Sequence, residues 1–153
     1  MVATATNDSI QSIRVENVID IAAPIDLAWE ALLEEVGPAS ALPDGTPMPM
    51  VLEAWPGGRW FRDLGNNSGH LWGHVQVIKA PKLLEITGPL FMSYAAANHI
   101  QYRLVQEGLN TKLSFLHRGF GQLDPEQREG INKGWSEWAA RVKKNAEKRQ
   151  KSA

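Results

Sequence analysis

The sequence predicts an α+β fold in which an antiparallel sheet of about six to seven strands wraps around a long C-terminal helix, with another helix after the first strand. Three observations support this prediction. Apolar residues alternate along several short segments, turn residues separate those segments, and a long amphipathic stretch begins near residue 125. Hairpin-linked strands form antiparallel sheets, and in such folds the helices collect on one side of the sheet.

The N-terminal part predicts a tail, a strand and a helix. Residues 1–11 show no apolar periodicity, and we expect them to form a disordered tail. Apolar residues then alternate with polar ones over residues 13–21, as in a half-buried strand. Pro24 suits the first turn of a helix, and apolar residues follow at helical spacing as far as Val36. Gly37 should end this helix.

The middle of the chain predicts a loop followed by short strands. Residues 38–49 contain four prolines and should form the loop. In the segment 70–79, Leu71, Val75 and Val77 share one face. Segments bounded by turn residues predict strands over residues 50–55, 59–64, 70–79, 83–87, 98–106 and 111–118.

The C-terminal helix is the most clearly marked element. Asp124 and Pro125 fit the N-cap and the first turn, and Gln127 fits the second partner of a capping box. A helix of about 24 residues, roughly 36 Å long, should follow. Its apolar stripe contains Ile131, Gly134, Trp135, Trp138 and Val142. We therefore expect one domain over residues 12–148 and a basic tail over residues 149–153.

Composition and charge exclude several classes of function. The chain has 153 residues, a formal net charge of -1 and no cysteine. A neutral domain lacks the basic surface that nucleic acid requires, and a chain without cysteine has neither disulfides nor thiolate ligands. We find no secretory signal and no apolar run of about 20 residues. The expected location is therefore the cytoplasm, with no membrane span and no nucleic-acid partner.

Several short motifs carry a resemblance to a known superfamily. They are WPGGRW at 55–60, GHV at 73–75, AP at 80–81, LSFLHRGF at 113–120 and GW at 134–135. Their order and spacing resemble the SRPBCC superfamily of START-like proteins. Within it, the sequence is most similar to the bacterial homologues of the activator of the heat-shock chaperone ATPase, the AHSA-like branch.

This resemblance implies a helix-grip fold, as in START domains and the birch-pollen allergen. In that fold the sheet wraps around the C-terminal helix and leaves a deep cavity between them. Many members bind apolar small molecules such as lipids there, and a minority are cyclases or other enzymes. The name of the branch comes from a co-chaperone, and a shared fold does not transfer that function.

The candidate cavity residues are mainly aromatic. Glycines inside a helix cost about 1 kcal/mol each relative to alanine, so Gly130 and Gly134 suggest a helix face kept open for a ligand or for close packing on the sheet. Tyr102 and His117 would supply polar groups that orient the ligand. The residues expected to line the cavity are Trp55, Trp60, Tyr102, Phe115, His117, Ile131, Trp135 and Trp138.

The sequence contains no catalytic, cofactor or metal motif. His70 and His74 lie on a predicted strand, where they would be about 13 Å apart, too far to share one metal. Glu34 and Glu35 are adjacent in a helix, so their carboxylates should diverge. No glycine-rich phosphate-binding loop is present.

Three functions remain open on these grounds. The leading prediction is a binding module for an apolar or aromatic small molecule. The second is an enzyme of the cyclase or hydrolase type in the same cavity, for which His117 is the only inward acid or base. The third is a protein interaction, with a chaperone as the partner. Simple core packing would also place Trp135 and Trp138 inside, and we expect His117 to be at least partly buried with a hydrogen-bond partner.

Overall fold

A seven-stranded antiparallel sheet and two helices make up the chain in the computed structural model, which describes residues 2–153. Residues 2–10 contain no helix or strand. The elements are β1 (Gln11–Ile21), α1 (Ile25–Val36), β2 (Val51–Leu52), β3 (Arg59–Gly65), β4 (Ser68–Lys79), β5 (Leu83–Gly88), β6 (Ala96–Glu107), β7 (Asn110–Gly121) and α2 (Gln127–Ser152). The predicted α+β fold, with a helix after the first strand and a long helix at the end, is confirmed.

The strand order across the sheet is β1-β7-β6-β5-β4-β3-β2. Strands β2 to β7 therefore form a meander, and β1 returns to pair with β7 over its whole length. The two helices pack against each other, and α2 also packs against β1. Tyr102 on β6 and Phe115 on β7 are buried beneath aromatic residues of α2. As a result α2 covers the β1–β7–β6 half of the sheet and leaves the β4–β3 half to other elements.

A bulge between β3 and β4 changes which side chains point inward. Trp60 pairs with Gly73 and Phe61 pairs with Leu71, so Trp72 is an extra residue on β4. A bulge of this kind reverses the alternation of side chains beyond it. Trp72 consequently packs against the core, while Leu71 is 47% exposed. The prediction that Leu71 shares the inward face of Val75 was wrong for this reason.

Two tryptophans secure the C-terminal end of α1. The indole Nε1 of Trp60 on β3 donates to the carbonyl of Val36 at 2.7 Å, and Nε1 of Trp138 on α2 donates to the carbonyl of Glu35 at 3.2 Å. The last carbonyls of a helix have no partner within the helix, and the last turn of α1 has no basic residue. These two bonds therefore tie α1 to both the sheet and α2.

Helix α2 begins later and ends later than the sequence predicts. The carboxylate of Asp124 accepts from the backbone N–H of Glu126 at 3.0 Å, and the side chain of Gln127 bonds to Tyr94. The Gln127 side chain thus does not bond back to the start of the helix, and the predicted capping box is wrong. The helix continues to Ser152, so most of the predicted basic tail is helical. Neither helix of residues 2–153 has the length and apolar character needed to cross a membrane.

Candidate functional site

A cavity of about 470 Å³ lies beside α2. Its walls come from one face of α2, from the end of α1 and the α1–β2 connection, from β3 and β4, and from the β5–β6 connection. Cavities of this size are typical of small-molecule sites. The lining residues are Glu35, Ser40, Ala41, Leu42, Pro43, Met48, Trp60, Trp72, Phe91, Tyr94, Gln127, Gly130, Ile131, Gly134, Trp135, Trp138 and Arg141.

The face of α2 along the cavity contains two glycines. A Cβ added at Gly130 would meet no atom within 4 Å, and one added at Gly134 would meet only Cγ of Pro43 at 3.8 Å. Neither glycine is therefore required for close packing of backbones. Their effect is to keep space open where larger residues on the same face, Trp135 and Trp138, project beside them.

Aromatic rings form the wall opposite and beside these glycines. Trp60 and Trp72 meet edge to face with centroids 5.0 Å apart, and Trp72 meets Phe91 at 5.7 Å. Phe91 then approaches Trp135 at 6.2 Å. Edge-to-face arrangements are favoured by the ring quadrupoles. These rings give the cavity a continuous apolar wall that reaches from the sheet across the β5–β6 connection to α2.

The structure brings four of the predicted residues to the cavity: Trp60, Ile131, Trp135 and Trp138. Trp55 does not belong to it, because this residue is 57% exposed and lies in the turn before β3. Glu53 and Arg59 flank that turn and stabilise it, because the Glu53 carboxylate accepts from Nε and Nη2 of Arg59 at 2.7 and 2.8 Å. The hydrogen bonds from Arg59 lower the pKa of Glu53 to about 2. The structure thus does not bring Trp55 to the cavity that it was predicted to line.

Tyr102 and Phe115 lie behind the cavity wall. Phe115 packs against Trp135 with centroids 4.6 Å apart, and Tyr102 packs against Trp138 at 5.0 Å. The two tryptophans therefore separate both rings from the cavity, which corrects their predicted place in its lining. The Tyr102 hydroxyl is buried without a hydrogen-bond partner among residues 2–153. Its burial raises the pKa of Tyr102 above the usual range.

His117 is fully buried and bonded at both ring nitrogens. Its Nδ1 accepts from Nε1 of Trp135 at 3.1 Å, so the ring proton lies on Nε2, which donates to Oδ1 of Asn98 at 2.7 Å. Burial lowers the pKa of His117 to about 4, so the ring is neutral at pH 7. The expected burial and partner are confirmed. However, His117 stands behind Trp135 and does not line the cavity, which corrects its predicted position.

Asn98 connects His117 to the β5–β6 connection. Its amide Nδ2 donates to the carbonyls of Gly88 and Pro89 at 3.2 and 3.3 Å. Gly119 on β7 pairs with Asn98 on β6. A Cβ at Gly119 would collide with the side-chain amide of Asn98. The glycine therefore makes room for the amide that orients His117.

Two charged residues that the sequence reasoning missed form a polar end of the cavity. Glu35 is 7% exposed, and its Oε2 lies 3.8 Å from Nε of Arg141. Ser40 also lines the cavity. The helical period does place Glu35 on the buried stripe of α1 with Ala28 and places Arg141 on the stripe of Gly134, so a signal was present in the sequence.

The neighbouring carboxylate points away, as the helical geometry predicted. Glu34 reaches Nη2 of Arg149 at 3.6 Å on the outside of the protein, and its side chain is 45% exposed. At the other end of the cavity, the hydroxyl of Tyr94 donates to Oε1 of Gln127 at 2.7 Å. Within residues 2–153, no group of three or more histidine, cysteine, aspartate or glutamate side chains is placed to hold a metal ion.

Comparisons with known proteins agree with this architecture. The profile of a family described as "Activator of Hsp90 ATPase homolog 1-like protein" matches residues 22–147. No curated protein matches the chain.

Similar solved structures come from several bacteria. SA2116 from Staphylococcus aureus, a protein of unknown function, is 13% identical with a TM-score of 0.68, and the match covers 95% of this chain and 99% of that one. CV1439 from Chromobacterium violaceum is 18% identical with a TM-score of 0.69, covering 89% and 96%. CalU16 from Micromonospora echinospora is 15% identical with a TM-score of 0.59, covering 91% and 87%. At these identities the likeness shows the fold alone.

Proposed function

The chain belongs to the family of activator of Hsp90 ATPase homolog 1-like proteins, and we propose that its cavity beside α2 binds an apolar or aromatic small molecule. The proposal combines the ligand-binding character of this SRPBCC fold with the geometry of this particular cavity. Aromatic rings supply most of the wall, and a few polar groups lie at its ends. That combination is typical of ligand sites, where apolar walls give affinity and sparse polar groups give orientation.

The open face at Gly130 and Gly134 is the observation that carries the proposal. Each glycine costs the helix about 1 kcal/mol relative to alanine. Close packing does not explain either one, since a methyl group at either position would meet at most one ordinary contact. An open cavity lined by tryptophans is what both glycines preserve.

An enzymatic role that uses His117 has less support from the same site. His117 was the one candidate acid or base, and both of its nitrogens are already bonded within the protein. A general base must reach the proton of the substrate, which a ring behind Trp135 does not. A chaperone-binding role, which the family description raises, would depend on an exposed surface instead of this cavity. The cytoplasm remains the proposed location, on the lack of cysteine.

Native mass spectrometry of the purified protein, followed by isothermal titration calorimetry with aliphatic and aromatic compounds, tests the proposal. The sharpest variant is Gly134→Leu, which fills the cavity from α2. Lys133→Leu is its matched control, because Lys133 is on the same helix with its side chain 76% exposed. We expect compounds that bind wild type and Lys133→Leu to bind Gly134→Leu at least about tenfold more weakly.

Two results would count against the proposal. One is that no compound copurifies and none in the series binds. The other is equal affinity for wild type and Gly134→Leu while the variant melts normally, since that would place binding outside the cavity. Binding of a purified Hsp90-type chaperone by a protein that takes up no small molecule would favour the interaction role.

A further inference from the structure

Two buried polar atoms face each other at one end of the cavity. Oε2 of Glu35 and Nε of Arg141 are 3.8 Å apart, and neither has a hydrogen-bond partner among residues 2–153. The Glu35 side chain is only 10% exposed and that of Arg141 is 25% exposed. Buried polar groups are normally hydrogen-bonded, so an unpartnered donor and acceptor on a cavity wall indicate a place for a ligand group.

One further polar atom of each side chain is already engaged. Oε1 of Glu35 accepts from Nδ2 of Asn145 at 3.2 Å, and Nη2 of Arg141 donates to the carbonyl of Ala41 at 3.0 Å. These contacts come from α2 and from the α1–β2 connection, and they hold both side chains in position. The free atoms Oε2 and Nε are therefore presented in a fixed arrangement.

The chemistry of the two atoms defines the group that fits between them. A guanidinium Nε–H only donates, and an ionised carboxylate oxygen only accepts. Because 3.8 Å separates them, one oxygen can lie about 2.8 Å from both. That oxygen must accept from Arg141 and donate to Glu35, which a hydroxyl does. The opposite charges of the pair also favour a neutral group, because a ligand carboxylate would face Glu35 and an ammonium would face Arg141.

Three of the four tryptophans that line the cavity, Trp60, Trp135 and Trp138, add no polar recognition. The indole N–H groups of Trp60 and Trp138 are bonded to carbonyls at the end of α1, and that of Trp135 is bonded to His117. An indole has one donor and no acceptor, so these three present only their rings to a ligand. The recognition of a polar group in this part of the cavity therefore depends mainly on Glu35 and Arg141.

We propose that the ligand is a neutral aromatic molecule with a hydroxyl group that bridges Glu35 Oε2 and Arg141 Nε. This inference rests on the proposed binding function and specifies the chemical class of the ligand. The hydroxyl lies at the polar end of the cavity, and the aromatic body lies against Trp60, Trp135 and Trp138.

A series of naphthalene probes tests the inference by calorimetry at pH 7. 2-Naphthol both donates and accepts, 2-methoxynaphthalene only accepts, and 2-naphthoate is an anion. We expect 2-naphthol to bind wild type about tenfold or more tightly than 2-methoxynaphthalene, as suits one hydrogen bond to a charged group. 2-Naphthoate should bind more weakly than 2-naphthol because it is repelled by Glu35.

The variant Glu35→Gln then identifies the residue responsible. The glutamine amide keeps an oxygen that accepts from Asn145 and places an N–H donor where Oε2 was. The ether oxygen of 2-methoxynaphthalene can accept from that donor. We expect the preference for 2-naphthol over 2-methoxynaphthalene to fall close to one, while the ether still binds. Glu34→Gln is the matched control, since Glu34 is the adjacent, outward carboxylate, and it should keep the wild-type preference.

The outcomes separate this inference from the binding function itself. Equal affinity of wild type for 2-naphthol and its methyl ether overturns the hydroxyl bridge but leaves cavity binding standing. An unchanged preference in a folded Glu35→Gln protein also overturns it. If Glu35→Gln does not fold, the wild-type comparison of the three probes decides. If no naphthalene binds and no compound copurifies, the binding function fails as well.

Discussion

Nε1 of Trp135 donates to Nδ1 of His117, and this bond joins the wall of the cavity to the buried polar groups of the sheet. It fixes the imidazole as the tautomer that carries its proton on Nε2. It also uses the one donor of Trp135, a residue whose ring faces the cavity. Any protonation of His117 would set two N–H groups against each other at this contact.

The stability of the protein should therefore fall as the pH is lowered through the range of His117. Its folded-state pKa of about 4 lies below the ordinary value of 6.5, so the unfolded chain takes up a proton first. The contribution of His117 to the free energy of unfolding is fully present above pH 6.5, and it is lost as the pH falls from 6.5 to 4. The loss should total about 3 kcal/mol, with about 2 kcal/mol gone by pH 5.

Urea denaturation of wild type and His117→Gln at pH 7 and pH 5 checks this prediction. Glutamine can still donate to Asn98 but does not titrate, so the variant should be less stable at pH 7 and much less sensitive to pH. His70→Gln, at an exposed position on β4, should keep the wild-type sensitivity. Equal pH dependence in wild type and His117→Gln would show that His117 is not the group that titrates.

The indole of Trp135 should matter for its N–H as well as for its size. Trp135→Phe leaves Nδ1 of His117 buried without a donor, which costs about 1–3 kcal/mol, and it also removes part of a packed ring. Trp55→Phe is the control, because Trp55 is 57% exposed and should change stability by no more than about 0.5 kcal/mol. Similar midpoints for the two variants in chemical denaturation would contradict the role given to the Trp135–His117 bond.

Removing the Tyr102 hydroxyl should stabilise the protein. The hydroxyl is buried and has no partner within residues 2–153, so folding strips it of water without replacing the lost hydrogen bond. We expect Tyr102→Phe to gain about 1 kcal/mol in the free energy of unfolding. Tyr94→Phe should instead be neutral or slightly destabilising, since that hydroxyl is bonded to Gln127. A clear loss of stability in Tyr102→Phe would mean that its hydroxyl does have a partner in solution.

Alanine at Gly134 should also stabilise the fold. The added methyl group meets only Cγ of Pro43 at 3.8 Å, an ordinary contact, and alanine is about 1 kcal/mol better than glycine inside a helix. A thermal melt should show the gain. Gly73→Ala is the contrasting case, because its Cβ would lie 2.5 Å from the carbonyl oxygen of Thr87 and must destabilise the sheet. A destabilised Gly134→Ala would indicate that this face of α2 is packed more tightly than the cavity suggests.

The fold was predictable because its signals are local. Alternation over residues 13–21 and the amphipathic stripe of α2 each depend on one segment and its own period. The cavity depends on how segments meet. Tyr102 and Phe115 do face inward, as their alternation predicted, but α2 lies directly on them. Packing between distant elements decides which half of a sheet a helix covers. Periodicity within one segment does not predict that packing.

Two further errors have specific physical causes. The bulge at Trp72 turns this residue toward the core, and nothing in the alternation of β4 marks where the bulge lies. Glu35 and Arg141 lie on the helical stripes of Ala28 and Gly134, but Glu35 was considered only as one of two adjacent carboxylates, and Arg141 was not predicted to line the cavity. Their burial is explained by Asn145, by the Ala41 carbonyl and by their proximity to each other.

The edge-to-face contact of Trp60 and Trp72 gives the protein an optical property. Indoles held 5.0 Å apart at an interplanar angle of 78° couple their electronic transitions, so this pair should add a distinct tryptophan signal to the circular dichroism of the folded chain. Both rings belong to the cavity wall, whereas the Trp55 ring is exposed in the turn before β3. In a Trp55→Phe variant, the circular dichroism of the tryptophans would report mainly on the cavity and its surroundings. A compound that enters the cavity would change that signal, so binding could be followed without a label.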